Sequence, residues 1–211
     1  MRFEEYTCKD FVHETGSKSP VPGGGGVSAL AAALGTALGN MVGHLTTGKK
    51  KYAAYEEDIQ RLMGQAEELE NQLLGLIDRD AEGFRPLAEA YRMPSGTEEE
   101  KEEKERVLEE ASVTACEAPM EIMRCCCRAI DLIEEFAEKG SVLAISDAGA
   151  GAIICKGALQ SASLNVFINT KGMKNRVNAE RLDHEAEDML MVYTMKADKI
   201  YASVYNSLRI Y

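Results

Sequence analysis

The sequence predicts an all-α protein, a bundle of about five to six helices, and three observations carry that prediction. Apolar residues recur at steps of three and four through most of the chain. Helix start and stop signals bracket those periodic segments. Only Val142-Leu143-Ala144-Ile145 and Val166-Phe167-Ile168 read as strand, too little for a sheet. At 211 residues, with 45% hydrophobic and 28% charged residues, the chain fits a single domain, 1–211, with an ample core.

A short first helix is expected near residues 3–15. Next, Ser19-Pro20-Val21-Pro22-Gly23-Gly24-Gly25-Gly26 cannot continue a regular element, because proline fixes φ and glycine leaves it free. That loop feeds a small-residue helix, Val27 to Leu45, in which Ala31, Gly35, Gly39 and Gly43 recur every four residues and permit close backbone approach. Its apolar length raises the possibility of a membrane span. Alanine richness, Asn40, His44 and the ordinary amphipathic character of the other helices favour a buried central helix instead.

Residues ~50–92 form a long helix with Ile59, Leu62, Leu69, Leu73, Leu76, Ile77, Phe84 and Leu87 on its stripe, kinked or interrupted late at Pro86. Met93-Pro94-Ser95-Gly96 is a turn, and Thr97 with Glu100 makes a capping box for a second long helix. Pro119 is placed to kink that helix and Gly140 to end it. Ser146-Asp147 caps a second small-residue helix from Ala148 to about Phe167, and the last helix starts near Asn178.

A net charge of −11 argues against nucleic-acid binding through a broad basic surface. The start, Met1-Arg2-Phe3-Glu4-Glu5-Tyr6, is charged and lacks the apolar core of a signal peptide. The six cysteines include contiguous Cys125, Cys126 and Cys127, whose side chains point in different directions on a helix and cannot share one ion. With three histidines besides, no metal site is expected, and the cysteines read as reduced cytoplasmic thiols.

Several residues could do chemistry. Asp80 falls on the apolar stripe of its helix, so its carboxyl should be partly buried with a raised pKa, a candidate acid or base; the plain alternative is a salt bridge to a neighbouring helix. Asp78 sits about 200° away around the helix and should face solvent. Asp147 fits either a helix N-cap or a second polar group of a site. Lys49, Lys50 and Lys51 are the one basic cluster, either complementing a helix terminus or seating substrate carboxylates. Asn165 and Asn169, one turn apart in an apolar setting, could hold a heterocycle or bridge helices. The glycine loop is either a linker or a bare helix N-terminus open to a polar or anionic ligand.

Pro22-Gly23-Gly24-Gly25, the Ala/Gly helix, Leu45-Thr46 with Gly48-Lys49-Lys50-Lys51-Tyr52, Asp78-x-Asp80-Ala81-x-x-Phe84, and Ser146-Asp147-x-Gly149 leading to Asn165-Val166-x-Ile168-Asn169 stand in this order. Together, across essentially the whole chain, they resemble the formiminotetrahydrofolate cyclodeaminase/methenyltetrahydrofolate cyclohydrolase family. One departure is the usual Pro-Gly-Gly-Gly-Ser, where this chain delays the serine to Ser28. The resemblance implies an all-α fold, a cytoplasmic homodimer, a folate substrate that can be polyglutamylated, and no metal or redox cofactor. It also implies the stand-alone form of a domain found elsewhere fused to a formiminotransferase.

On that resemblance, Asp80 is the proton shuttle, with Asp147 and Asp78 as further catalytic candidates. Gly23, Gly24, Gly25, Ser28, Asn165 and Asn169 line the folate, and Lys49, Lys50 and Lys51 take its glutamate tail. The implied reaction is ammonia loss from formiminotetrahydrofolate or water addition to methenyltetrahydrofolate. The competing reading is a non-enzymatic helical bundle for partner binding or membrane association, built on the small-residue helix.

Overall fold

The structure, a computed structural model, describes residues 2–209 as six helices and three single turns or short runs of 3₁₀ helix, with no strand among them. Residues 3–5 form a 3₁₀ turn ahead of α1 (Cys8–Thr15), whose N-cap Thr7 accepts the Asp10 N–H at 3.1 Å. α2 (Gly24–His44) follows, then a 3₁₀ run over Lys50–Tyr55 that leads into α3 (Glu56–Tyr91). α4 (Glu98–Lys139), α5 (Ile145–Thr170) and α6 (Arg176–Leu208) complete the bundle.

Where the local signals were strong, elements begin as the sequence expects. Thr97 accepts from the Glu100 N–H while the Glu100 carboxylate takes the Thr97 N–H, a complete capping box. The segment expected as one helix near 3–15 is a 3₁₀ turn followed by α1 from Cys8, the helix expected over ~50–92 is 3₁₀ until α3 begins at Glu56, and further differences follow. Gly24, Gly25 and Gly26 are the first turn of α2, not loop, with Gly23 as N-cap, so the irregular segment stops at Gly23. α5 starts at Ile145 with Ala144 as N-cap and no side-chain cap, so Asp147 sits inside the first turn and is not the N-cap. The strand-like stretches are a 3₁₀ turn over Val142–Ala144 and the interior of α5. α3 and α4 continue helically through Pro86 and Pro119.

α4 is the hub, packed against α2, α3, α5 and α6. Three consecutive helical residues point through about 200° of arc, yet Cys125, Cys126 and Cys127 are all buried, because α4 is enclosed on nearly every side. Gly140 ends it with extended backbone, not a left-handed turn; a Cβ there would collide with the Phe136 carbonyl and Val42.

α2 and α5 run antiparallel in close contact, Gly24 beside Asn165 at one end and Gly35 against Gly151 and Cys155 at the middle. Both helices are long and apolar enough to cross a membrane, but 56% and 44% of their apolar windows are buried inside the bundle. Their small residues serve helix packing. A Cβ on Gly151 would lie 2.6 Å from the Gly35 carbonyl oxygen, a backbone atom that cannot rotate away. Gly151→Ala should therefore lower stability by about 1–3 kcal/mol in urea unfolding, against the ~1 kcal/mol gain that helix propensity alone would give.

Candidate active site

The apolar stripe of α3 places Asp80 against the first turn of α2. Its Oδ2 accepts the Gly26 N–H at 3.0 Å. A Cβ on Gly25 would overlap the Asp80 carboxylate, so the glycine run gives the carboxyl its seat on bare helix backbone. Burial raises the Asp80 pKa to about 6, and the Gly26 N–H only partly offsets that rise. No cation pairs with it among the described residues. The salt-bridge alternative is therefore not what the structure shows.

Asp80 opens into a cleft of about 210 Å³. Pro20, Val21, Gly23 and Gly24 form one wall, Phe84 of α3 stands one turn beyond Asp80, and Ala115 and Pro119 of α4 form the back. Asn165, Ile168 and Asn169 close it from α5. Each asparagine has its amide nitrogen committed: Asn165 Nδ2 donates to the Ser161 carbonyl at 2.9 Å and Asn169 Nδ2 to the Ala115 carbonyl at 3.1 Å. Asn169 thus bridges α5 to α4 and also lines the cleft. The arrangement is one ionisable carboxyl near neutrality, apolar walls and two carboxamides, suited to proton transfer on a flat polar heterocycle.

The other sequence candidates fall elsewhere. Ser28 is buried, and its hydroxyl donates to the Gly24 carbonyl at 2.6 Å, so it braces the first turn of α2 and does not line the cleft. Asp78 does not face open solvent: its Oδ1 accepts the Phe3 N–H at 2.9 Å and Arg2 lies 3.7 Å from its Oδ2. It ties the N-terminal segment to α3. Gly25 is beneath the Asp80 carboxylate, not on the cleft surface.

The lysine cluster and Asp147 lie at the opposite end of the bundle. α2 carries the chain from the cleft about 30 Å away before Lys49 is reached. Lys49 Nζ there is 3.4 Å from Ser141 Oγ, and Lys51 sits over the Tyr52 ring at 5.4 Å. Asp147 is about 27 Å along α5 from Asn165. Within one chain, then, neither group touches the cleft. Phe84 was present in the sequence motif, but Ala115 and Pro119 carried no signal, since their role comes only from α4 crossing behind α3 and α5.

A larger groove of about 470 Å³ lies between the ends of α4, α5 and α6. Its walls are mostly aliphatic, and its Glu134 is paired with Lys196 at 2.6 Å. Its carboxylates are the ion-paired Glu134 and the exposed Glu138, and it is the weaker candidate for chemistry. Among the described residues no three His, Cys, Asp or Glu side chains gather as metal ligands.

Known proteins match this chain over nearly its whole length. A methenyltetrahydrofolate cyclohydrolase of Methylorubrum extorquens is 39% identical over 198 residues, covering 94% of this chain and 95% of that protein. The formimidoyltransferase-cyclodeaminase of Mus musculus is 31% identical over 94% of this chain, which spans 37% of that longer protein. The crystal structure of formiminotetrahydrofolate cyclodeaminase from Thermotoga maritima superposes with a TM-score of 0.80 at 27% identity, covering 96% of this chain and 98% of that one. Residues 7–188 match the family described as formiminotransferase-cyclodeaminase, and the chain belongs to that family.

Proposed function

We propose that this chain is a folate one-carbon enzyme acting on the carbon between N5 and N10 of tetrahydrofolate. It works as a methenyltetrahydrofolate cyclohydrolase or a formiminotetrahydrofolate cyclodeaminase. The observation that carries the reading is Asp80, a half-buried carboxyl with a pKa of about 6 at the base of a cleft walled by apolar groups and two carboxamides. The family and the names of its relatives supply the substrate class.

Both reactions ask one group to accept and then return a proton. In hydrolysis, water attacks the methenyl carbon while Asp80 takes a water proton. The neutral adduct then breaks its bond to N5, which receives the proton from Asp80, and the adduct hydroxyl releases its proton to solvent as the formyl group forms. In deamination, N10 attacks the formimino carbon and gives its proton to Asp80, which delivers it to the former imino nitrogen. One further proton from solvent lets that nitrogen leave as ammonia. Neither sequence oxidises or reduces the substrate, so the reading asks for no redox cofactor. The six cysteines are free thiols, which supports a reducing, cytoplasmic setting.

Methenyltetrahydrofolate absorbance should fall faster with the protein than without it, or formiminotetrahydrofolate should release ammonia; failure of both at micromolar protein would remove the reading. Because Asp80 must begin as carboxylate, kcat/KM should fall below pH 6 along a single ionisation with its midpoint about 6. An acid limb centred near pH 4 would show that another, unperturbed carboxylate does the work.

A further inference from the structure

Among the described residues, one side chain makes every polar contact between residues 2–22 and the rest of the chain. Asp78 of α3 accepts the Phe3 N–H through Oδ1 at 2.9 Å, and Arg2 Nε lies 3.7 Å from its Oδ2. The other hydrogen bonds and ion pairs of residues 2–22 stay inside that segment, as from Ser19 Oγ to the Val21 carbonyl at 2.6 Å. Apolar anchoring is sparse too. Phe11 is the one buried residue of α1, and Phe3 and Tyr6, packed edge to face, are half-buried.

This segment ends as a wall of the cleft. The cleft of about 210 Å³ is smaller than the roughly 300–1,000 Å³ of pockets that enclose a drug-sized ligand. Its walls on α3, α4 and α5 belong to helices packed on one another through the core. The wall of Pro20 and Val21 is irregular backbone with no hydrogen bond to any of those helices. Enlarging the cleft therefore moves this wall before the others.

α1 connects the Asp78 contact to that wall. Its eight residues make a rod of about 12 Å, with Phe3 ahead of one end and Pro20 beyond the other. Phe11, near its middle, is the point on which the rod can turn. Releasing Phe3 from Asp78 frees one end of the lever, and the wall is at the other end.

We propose that Asp78 is a positioning residue, the latch of an N-terminal strap over residues 2–21 that swings out to admit the folate and closes as the outer wall of the cleft. Asp78 touches no substrate and moves no proton; it sets how much of the time the wall is in place. Its Oδ2 is buried without a hydrogen-bond partner, so its hold on the strap is incomplete, which suits a latch that has to open. This role rests on the reading of the cleft as the folate site.

Cys8 provides a native handle for the test. It is exposed at the start of α1, while the other five cysteines are buried. A nitroxide attached to Cys8 should show slow motion in the wild type and fast motion in Asp78→Ala. Asparagine can still accept the Phe3 N–H, so Asp78→Asn should keep the wild-type motion. On methenyltetrahydrofolate, Asp78→Ala should raise KM about tenfold, as expected for losing one hydrogen bond to a charged group, with kcat within about threefold of wild type. Asp78→Asn should stay within about threefold in both constants. Phe3→Pro removes the donor instead, at a first helical position that suits proline, and should repeat the effects of Asp78→Ala. The double variant should be no worse than the worse single one.

A kcat loss of ~100-fold or more in both Asp78 variants would put the charge in the chemistry and overturn the latch. Unchanged label motion in Asp78→Ala would show that the strap is held without it. A faster label with unchanged KM would show that the strap is no wall of the site, and either result overturns the proposal. A wild type inactive on both folates removes the proposed function instead, and the label motion still decides whether Asp78 holds the strap.

Discussion

Asp80→Asn should abolish turnover while making the protein more stable at alkaline pH. Removing a general acid–base group costs ~10²–10⁴ in rate, read as kcat/KM on methenyltetrahydrofolate. The stability change follows from linkage. Folding raises the Asp80 pKa from 3.8 to about 6, so between those values the folded state holds the proton that the unfolded chain has released. Wild-type stability therefore falls as pH rises from about 4 to about 6, and above that the ionised, buried carboxyl costs on the order of 2–3 kcal/mol. Asparagine cannot ionise, yet its Oδ1 can still accept the Gly26 N–H. The variant should gain ~2–3 kcal/mol over wild type at pH 8 and little at pH 4, in urea titrations at the two values. Full activity in Asp80→Asn would remove its catalytic role. Equal stability at both pH values would mean that the carboxyl is not buried against α2.

Gly25→Ala should be nearly as damaging, for the opposite reason that it adds a group. Propensity favours alanine by about 1 kcal/mol in a helix, and residue 25 is in the first turn of α2. The new methyl, however, would occupy the space of the Asp80 carboxylate. Asp80 must then turn out toward water, losing the Gly26 N–H and its place in the cleft. Activity should drop ~100-fold or more, and the stability loss between pH 4 and 6 should disappear, because a solvated carboxyl keeps its ordinary pKa. Gly24→Ala makes the contrast. Its methyl meets the end of the Asn165 side chain at 3.1 Å, a group that can swing aside, so activity should stay within about tenfold of wild type. Equal losses in both variants would show that the glycines serve the helix or the loop and not Asp80.

The glycine run also shows how far the sequence could be read. Its break with the preceding loop was plain from Pro20 and Pro22, but its role as helix was not, since four glycines are poor helix formers. Gly24, Gly25 and Gly26 are helical behind the Gly23 N-cap, and α3 delivers a carboxylate onto Gly25 that leaves no room for a Cβ there, while a Cβ on Gly26 would meet Ile77 only in ordinary contact. Asp80 was legible because a carboxylate on the face of Leu73, Leu76, Ile77 and Leu87 has to be buried when those residues are. Helix geometry turns Asp78 toward solvent, but its partner, the backbone of Phe3, is 75 residues away and leaves no local pattern. The bond of Ser28 to the Gly24 carbonyl is one a helical serine commonly makes to the carbonyl four residues back.

By itself the sequence determined the helices, their caps, the face of α3 that carries Asp80 and the family to which the chain belongs. Those properties are set by neighbours within a few residues or by motifs in linear order. The tertiary structure decided what the motifs do together. It made α4 the enclosed hub, so that three adjacent cysteines are all buried, and it ran α2 and α5 antiparallel, so that Gly24 meets Asn165. It also placed the lysines and Asp147 at the far end from Asp80. The reason is physical: a helix converts sequence order into distance at about 1.5 Å per residue. Residues adjacent in a motif list can thus be separated by the length of the molecule, and only the packing of helices decides which of them meet.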